Sequence, residues 1–280
     1  MEGNNVEKSI MEKNNAGKND MEENSMAREE TEQGSGKNYK FIIEYDGSRY
    51  FGWQHQPDKN TIQGKLESVL GVMCGKDVEV IGAGRTDGGV HAKAMVANAF
   101  LETESSCEEI RDYMNRYLPE DIAVKEVREA APRFHARYNA QGKTYCYTCY
   151  DGDVKPVFDR KYYTPLEGKP DMELMRQAAE ILKGEHDFKN FCTNPRMKKS
   201  TVRCVDKIEI VRHGGYLYFN IHGTGFLQNM VRIMVGALLE IGYGRMTMEQ
   251  LKEALNSSER QKAGPTAPAQ GLCLVGVDYN

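Results

Sequence analysis

Long apolar runs are missing from this 280-residue chain: nothing approaches the roughly 18 consecutive apolar residues of a membrane-spanning helix. An excess of basic residues is missing too. The formal net charge is -4, so overall charge does not announce a nucleic-acid partner, and any such surface has to be a local patch. The N-terminus is polar and carries acids early, without the apolar stretch of a secretory signal. The seven cysteines (74, 107, 146, 149, 192, 204 and 273) are odd in number and irregularly spaced, which argues for reduced thiols and a cytoplasmic protein rather than a disulfide framework. Cys146-Tyr147-Thr148-Cys149 has C-x-x-C spacing, but no second pair completes a zinc site, and on an extended strand the two thiols point to opposite faces. Nucleotide loops are absent as well. The third glycine of G-x-G-x-x-G falls on Asp87, and a P-loop ending in Gly142-Lys143-Thr144 needs its first glycine where Arg137 stands. No metal and no cofactor are expected.

What is present falls into three parts. Residues 1–37 hold five Lys/Arg against nine Asp/Glu, many Asn and Gly, and almost no β-branched or aromatic residues. Such a segment buries too little apolar surface to offset its ordering entropy, and reads as a disordered polar extension, or alternatively as a short amphipathic helix. The remainder carries equal numbers of basic and acidic residues. From Asn38 onward two similar series follow. In the first, a strand (40–45) precedes a helix over 61–73 with Ile62, Leu66, Val69, Leu70 and Met73 on one face. A glycine-rich turn about Asp87 then joins strands at 78–81 and 94–100, before a helix at 108–117 and a strand at 122–127. The second opens with a β-rich strand (144–150) and a helix over 171–183. A hairpin follows, 202–211 with 216–221, about His213-Gly214-Gly215. A nearly all-apolar helix (226–241), a further helix (247–255) and a strand (272–277) complete it. Both series have the order β-α-β-β-α-β, the second with one added helix, and each resembles the split βαβ, ferredoxin-like unit. The elements alone give an α+β class with internal duplication, divided into halves at 38–140 and 141–280.

Several residues admit both a structural and a chemical reading. The turn Gly82-Ala83-Gly84-Arg85-Thr86-Asp87-Gly88-Gly89 is either an ordinary hairpin turn with Arg85 paired to Asp87, or a mount presenting Asp87 to a cleft. Tyr145 shares a strand face with Tyr147, filling the core or offering a ring on which an unpaired base stacks. Arg232 interrupts the apolar helix and needs an acid, either local Glu240 or Asp87 across a cleft. Trp53 is a core anchor or an RNA contact. His91 reads as fixing the turn through hydrogen bonds, with an RNA contact the lesser alternative. The cluster Arg196, Lys198, Lys199 and Arg203 is a solvated loop, or a backbone clamp if the substrate is RNA.

Four segments in order carry a resemblance. They are Gly84-Arg85-Thr86-Asp87-Gly88-Gly89-Val90-His91-Ala92, Lys143-Thr144-Tyr145-Cys146-Tyr147 following Ala136-Arg137-Tyr138-Asn139-Ala140, Phe226-Leu227-Gln228-Asn229-Met230-Val231-Arg232, and Ala267-Pro268-Ala269-Gln270-Gly271-Leu272. Together with Glu44-Tyr45-Asp46-Gly47-Ser48 and Tyr50-Phe51-Gly52-Trp53-Gln54, they resemble the tRNA pseudouridine synthase A family over essentially all of the chain from Tyr39 to Tyr279. Gly88 stands where the family usually has alanine, and Cys146 where a basic or polar residue is common. The resemblance implies two ferredoxin-like halves with a merged antiparallel sheet and a central cleft. It implies isomerisation of uridine to pseudouridine at positions 38 to 40 of the tRNA anticodon stem-loop, by a homodimer and without a cofactor. It further implies that Asp87 is the catalytic nucleophile or base, Tyr145 contacts the target uridine, Arg232 pairs with Asp87, Arg85 steers phosphate or flips the base, and Leu272 packs near that base. For His135 with Arg137 it implies a phosphate contact. Two other classes stay open: a catalytically silent RNA-binding module, and a glycoside-type hydrolase, which needs a second carboxylate such as Glu44 or Asp46.

Overall fold

Local sequence sets where the elements begin and stop. The computed structural model describes residues 36–194, 200–256 and 263–280. Most of the polar segment 1–37, and Arg196, Lys198 and Lys199 of the basic cluster, lie outside these residues. Strand β1 (Lys37–Tyr45) buries Tyr39, Phe41, Ile43 and Tyr45 and turns Lys40, Ile42 and Glu44 outward, the period of two expected of a half-buried strand. Helix α1 (Ile62–Cys74) starts where the Thr61 side chain accepts the Gly64 N–H, and stops at Gly75 in the left-handed region (φ 68°). Next come β2 (Ile81–Gly82) and β3 (His91–Leu101), then α2 (Cys107–Tyr117) with a Ser106/Glu109 capping box, and β4 (Ile122–Glu129).

The second series runs β5 (Gly142–Tyr150), β6 (Thr164–Pro165), α3 (Met172–Leu182) capped by the Asp171 carboxylate, and β7 (Gly184–Asp187). Strands β8 (Val202–His213) and β9 (Tyr216–Gly223) form the expected hairpin, with positive φ at both Gly214 and Gly215. Helices α4 (Met230–Gly242) and α5 (Met248–Asn256) and strand β10 (Leu272–Asp278) follow.

Among the described residues the ten strands belong to one sheet, in the order β4-β1-β3-β10-β5-β9-β8-β7, with β2 added to β3 and β6 to β5. The sheet is antiparallel except at two ladders, β6 with β5 and β10 with β3. The second of these is the seam between the two series. There β10 lies parallel to β3 through Cys273↔His91 and Leu274↔Ala92, while its other edge pairs antiparallel with β5 from Leu272↔Tyr147 to Asp278↔Gly142. The sheet is therefore mixed, not antiparallel throughout. Helix α2 packs on β4 and α1, and α3 on β8 and α4.

Three expectations shift. The segment 78–81 is strand only at Ile81–Gly82, although Val78 and Val80 are buried. Side chains of α1 take the hydrogen bonds that a partner strand would supply: Glu67 Oε1 accepts the Val80 N–H (3.2 Å) and Gln63 Nε2 donates to the Val80 carbonyl (3.1 Å). The apolar helix begins at Met230 rather than Phe226, because Asn229 adopts φ 60° and turns the chain. Strand β7, sequence Gly-Glu-His-Asp, has no apolar alternation to announce it; it closes the sheet as a short charged edge.

The floor beneath the turn after β2 is closely packed. Trp53, 3% exposed, lies so near Gly82 that a Cβ there would stand 2.5 Å from the indole, which settles Trp53 as a core anchor. Gly82→Ala is expected to destabilise the fold by about 1–3 kcal/mol, the cost of overpacking a filled core. Urea unfolding measures it, and an unchanged midpoint would contradict this packing.

Candidate active site

The turn that carries Asp87 is fixed on both sides. The Trp53 N–H donates to the Thr86 carbonyl (3.0 Å), and the Tyr45 and Thr86 hydroxyls share a hydrogen bond of 2.8 Å. The Gly89 N–H reaches the Tyr50 carbonyl (3.3 Å), with Gly89 at φ 79°. Thr86 is buried, and Asp87, the next residue, points its carboxylate into a cleft of about 1100 Å³. His91 ties the turn to the rest of the chain. Its Nδ1 accepts the Gly47 N–H (3.1 Å), and its Nε2 faces the carbonyls of Lys161 (3.1 Å) and Gln270 (3.2 Å). Burial lowers its pKa against the opposing pull of Asp46, so the ring is neutral and carries its proton on Nε2. The structural reading of His91 holds.

The opposite wall comes from the second series. Tyr145 on β5 is 7% exposed and meets the Phe226 ring edge to face, centroids 5.3 Å apart. Burial, and then the Asp87 charge, push its phenol up, so it stays neutral. Leu272, first residue of β10, lies opposite Tyr147 in register and is 5% exposed. Tyr147 is fully buried, with its hydroxyl bonded to Thr164 and the Pro268 carbonyl, and belongs to the core.

Arg232 sits in the first turn of α4, with its Nη1 3.9 Å from Asp87 Oδ2. Two shorter bonds hold it there: Nε donates to the Ala267 carbonyl (2.7 Å) and Nη1 to Asn229 Oδ1 (2.6 Å). Asn229, whose positive φ starts the helix late, is the orienting residue that sequence reasoning missed; its one signal was that Asn tolerates this backbone region. Glu240, the alternative partner, is bonded to Arg245 instead (2.7 Å). Arg85 is exposed at the cleft wall and makes no ion pair with Asp87, so the surface-pair reading of the turn fails. Tyr145, Arg232, Arg85, Leu272 and Asp87 thus line one cleft.

The electrostatics differ from expectation in one respect. Burial raises the Asp87 pKa and outweighs the downward pull of Arg232, which was foreseen, and of the Asn229 N–H, which was not, so the net direction is up. Among the described residues lining the cleft Asp87 is the one acid, facing Arg85, Arg137, Lys143, Arg203 and Arg232. Glu44 pairs with exposed Lys125, and Asp46 caps Ser48 beside His91; neither lines the cleft. His135 caps its own turn, its Nδ1 accepting the N–H groups of Arg137 and Tyr138. Among the described residues no cluster of His, Cys, Asp and Glu is arranged to hold a metal, and no helix is long and apolar enough to cross a membrane.

The model of a family described as tRNA pseudouridine synthase matches residues 41–139 and 178–280. The chain belongs to that family. The tRNA pseudouridine synthase A of Bacillus sp. (strain KSM-64) is 45% identical over 243 residues, covering 86% of this chain and 99% of that protein. The protein of the same name from Clostridium kluyveri is 42% identical, over 87% of this chain and 100% of its own length. A chain of the solved "Crystal Structure of a Cbf5-Nop10-Gar1 Complex" overlaps with a TM-score of 0.35 at 12% identity, over 85% of this chain and 49% of that one, too slight a likeness to carry weight. As a pseudouridine synthase the protein is an isomerase.

A carboxyl whose pKa is raised by folding costs stability once ionised. The cost is absent below the unfolded pKa and complete above the folded one. Asp87→Asn is therefore expected to stabilise the fold at neutral pH by up to about 1 kcal/mol. The gain should disappear as pH falls below the ordinary carboxylate value of about 3.9. Urea midpoints across that range check it, and a variant less stable at every pH contradicts the assignment.

Proposed function

We infer that this pseudouridine synthase isomerises uridine in the anticodon stem-loop of tRNA, at positions 38 to 40, with Asp87 as nucleophile or base. One observation carries the reading: a carboxylate, an aromatic ring, a guanidinium and an aliphatic side chain from four separate elements meet in one cleft. The reaction breaks the bond from ribose to N1 of uracil, turns the base, and rejoins ribose to carbon C5, where a proton is lost as N1 gains one. Product and substrate are isomers, so no redox cofactor enters.

Each group has a part in that sequence. Asp87 has to be ionised to attack or to accept a proton, and the Arg232 guanidinium favours that form from 3.9 Å without occupying the carboxylate in a close bidentate pair. Extruding the uridine costs a few kcal/mol, and stacking on the Tyr145 ring offsets about 1–3 kcal/mol of it. Leu272 packs against the base, and Arg85, exposed at the wall, steers phosphate or flips the base. The halves 38–140 and 141–280 act as two domains, and the protein works as a homodimer, by resemblance to its family, in the cytoplasm, for which its odd number of irregularly spaced cysteines argues. A two-carboxylate hydrolase is disfavoured because neither Glu44 nor Asp46 lines the cleft. The combination of Asp87, Tyr145 and Arg232 speaks against a silent binding module.

Chemical mapping of pseudouridine on unmodified tRNA transcripts tests the reading. The native protein should modify the anticodon stem-loop, and Asp87→Asn should lower the single-turnover rate by about 1000-fold or more. Equal modification by both proteins rejects the role of Asp87. The single-turnover rate should also fall on acidification with an apparent pKa above the ordinary carboxylate value, since burial raises that of Asp87. Arg232→Gln removes a pull toward the ionised form and should move this limb to higher pH. A limb that stays in place, or moves down, rejects the pairing.

A further inference from the structure

Lys143 occupies the cleft next to the site yet has no part in the chemistry above. It lies on β5 two residues before Tyr145, so the two side chains share a strand face about 7 Å apart. Across the cleft its stem rests on the turn that carries Asp87: a Cβ added to Gly84 would stand 3.4 Å from Lys143 Cε and 3.9 Å from Nζ. The opposing wall has a matching feature, for a Cβ added to Gly225 would stand 3.7 Å from Nε of Arg203. Arg137 lines the same cleft from the segment before β5.

Among the described residues these three cations share the cleft with no acid other than Asp87. The Lys143 ammonium makes no hydrogen bond and no ion pair among the described residues, and burial, then the charges of Arg137 and Arg203, depress its pKa. Arg203 spends one nitrogen on the carbonyls of Ser200 and Val202, which fixes its stem rather than neutralises its charge. A half-buried ammonium among like charges is costly to keep in a fold unless an anion completes it. Asp87 does not supply that anion; it is held by Arg232 and the Asn229 N–H.

We propose that Lys143, flanked by Arg137 and Arg203, seats a phosphodiester next to the target uridine, and so positions the extruded nucleotide over Asp87. The inference rests on the RNA-modifying reading above. The substrate group is one singly charged phosphate of the strand that enters the cleft. The distance from Tyr145 to Lys143 along β5 is the scale of a nucleotide from base to phosphate, so a base on the Tyr145 ring brings its own backbone to Lys143. The glycines at 84 and 225 leave the two walls open to that backbone. The role is positional: Lys143 binds the strand and takes no part in proton transfer.

The test pairs a protein change with an RNA change. Synthetic anticodon stem-loops are prepared with all phosphates intact, or with one neutral methylphosphonate at either linkage flanking the target uridine. On intact RNA, Lys143→Met should lower kcat/KM by about 10- to 100-fold, the worth of a charge-assisted hydrogen bond, and Lys143→Arg should restore most of it. At one of the two flanking linkages the methylphosphonate should cost the native protein a similar factor and cost Lys143→Met nothing further. Arg137→Gln, a change at an exposed side chain, should show the same loss of additivity at the same linkage. Full activity of Lys143→Met, or equal further losses for native protein and variant at both linkages, overturns the proposal while leaving the enzyme reading intact. Absence of pseudouridine with the native protein on every tRNA and stem-loop overturns the enzyme reading itself.

Discussion

The site depends on a short parallel ladder. Strand β10 inserts between β3 and β5, joined to β3 through only two registered pairs, Cys273↔His91 and Leu274↔Ala92. That ladder brings the turn bearing Asp87 against the strand bearing Tyr145. The buried, neutral His91 reinforces it by binding the Gly47 N–H on one side and the carbonyls of Lys161 and Gln270 on the other. Two elements of modest size thus set the width of the cleft. The helices and the outer strands stabilise each side, but they do not determine how the sides face.

The second constraint is electrostatic. A carboxylate drawn partly out of water tends to take up a proton, and here desolvation exceeds the help given by Arg232. The guanidinium is kept at 3.9 Å by its bonds to Ala267 and Asn229. A closer bidentate pair would ionise the acid more fully but cover the oxygens that now face the cleft. The geometry is a compromise between charging Asp87 and leaving it free. It is set by the late start of α4, where Asn229 in the left-handed region points its amide oxygen back at the arginine.

Much of this was legible in the sequence, and the physical reasons differ from residue to residue. Helices α1, α2 and α3 were visible because their caps and apolar faces are local, and the hairpin of β8 and β9 because Gly214-Gly215 admits the required turn. Asp87, Tyr145, Arg232, Leu272 and Arg85 were found through motifs and do line one cleft. What was not legible is non-local. The segment at Val78–Val80 reads as a strand, yet its backbone is satisfied by Gln63 and Glu67 of a neighbouring helix. Strand β7 has no alternating pattern because an edge tolerates charge. The parallel seam and the raised pKa of Asp87 arise from packing between distant segments, which no window of sequence contains.

The seam has a consequence for how the molecule comes into being. The Gln270 carbonyl and the His91 ring meet across 179 residues of chain. Contacts of such separation form late, since the loop between them has to be ordered first. While the chain is being synthesised, the strands through β4 can pair with one another, but the segment of β3 that receives β10 stays open until residue 274 has been made. A chain made only as far as β4 therefore carries Asp87 without Tyr145, Arg232 or Leu272 to face it. The cleft has both its walls in register only once this single strand, β10, lies between β3 and β5.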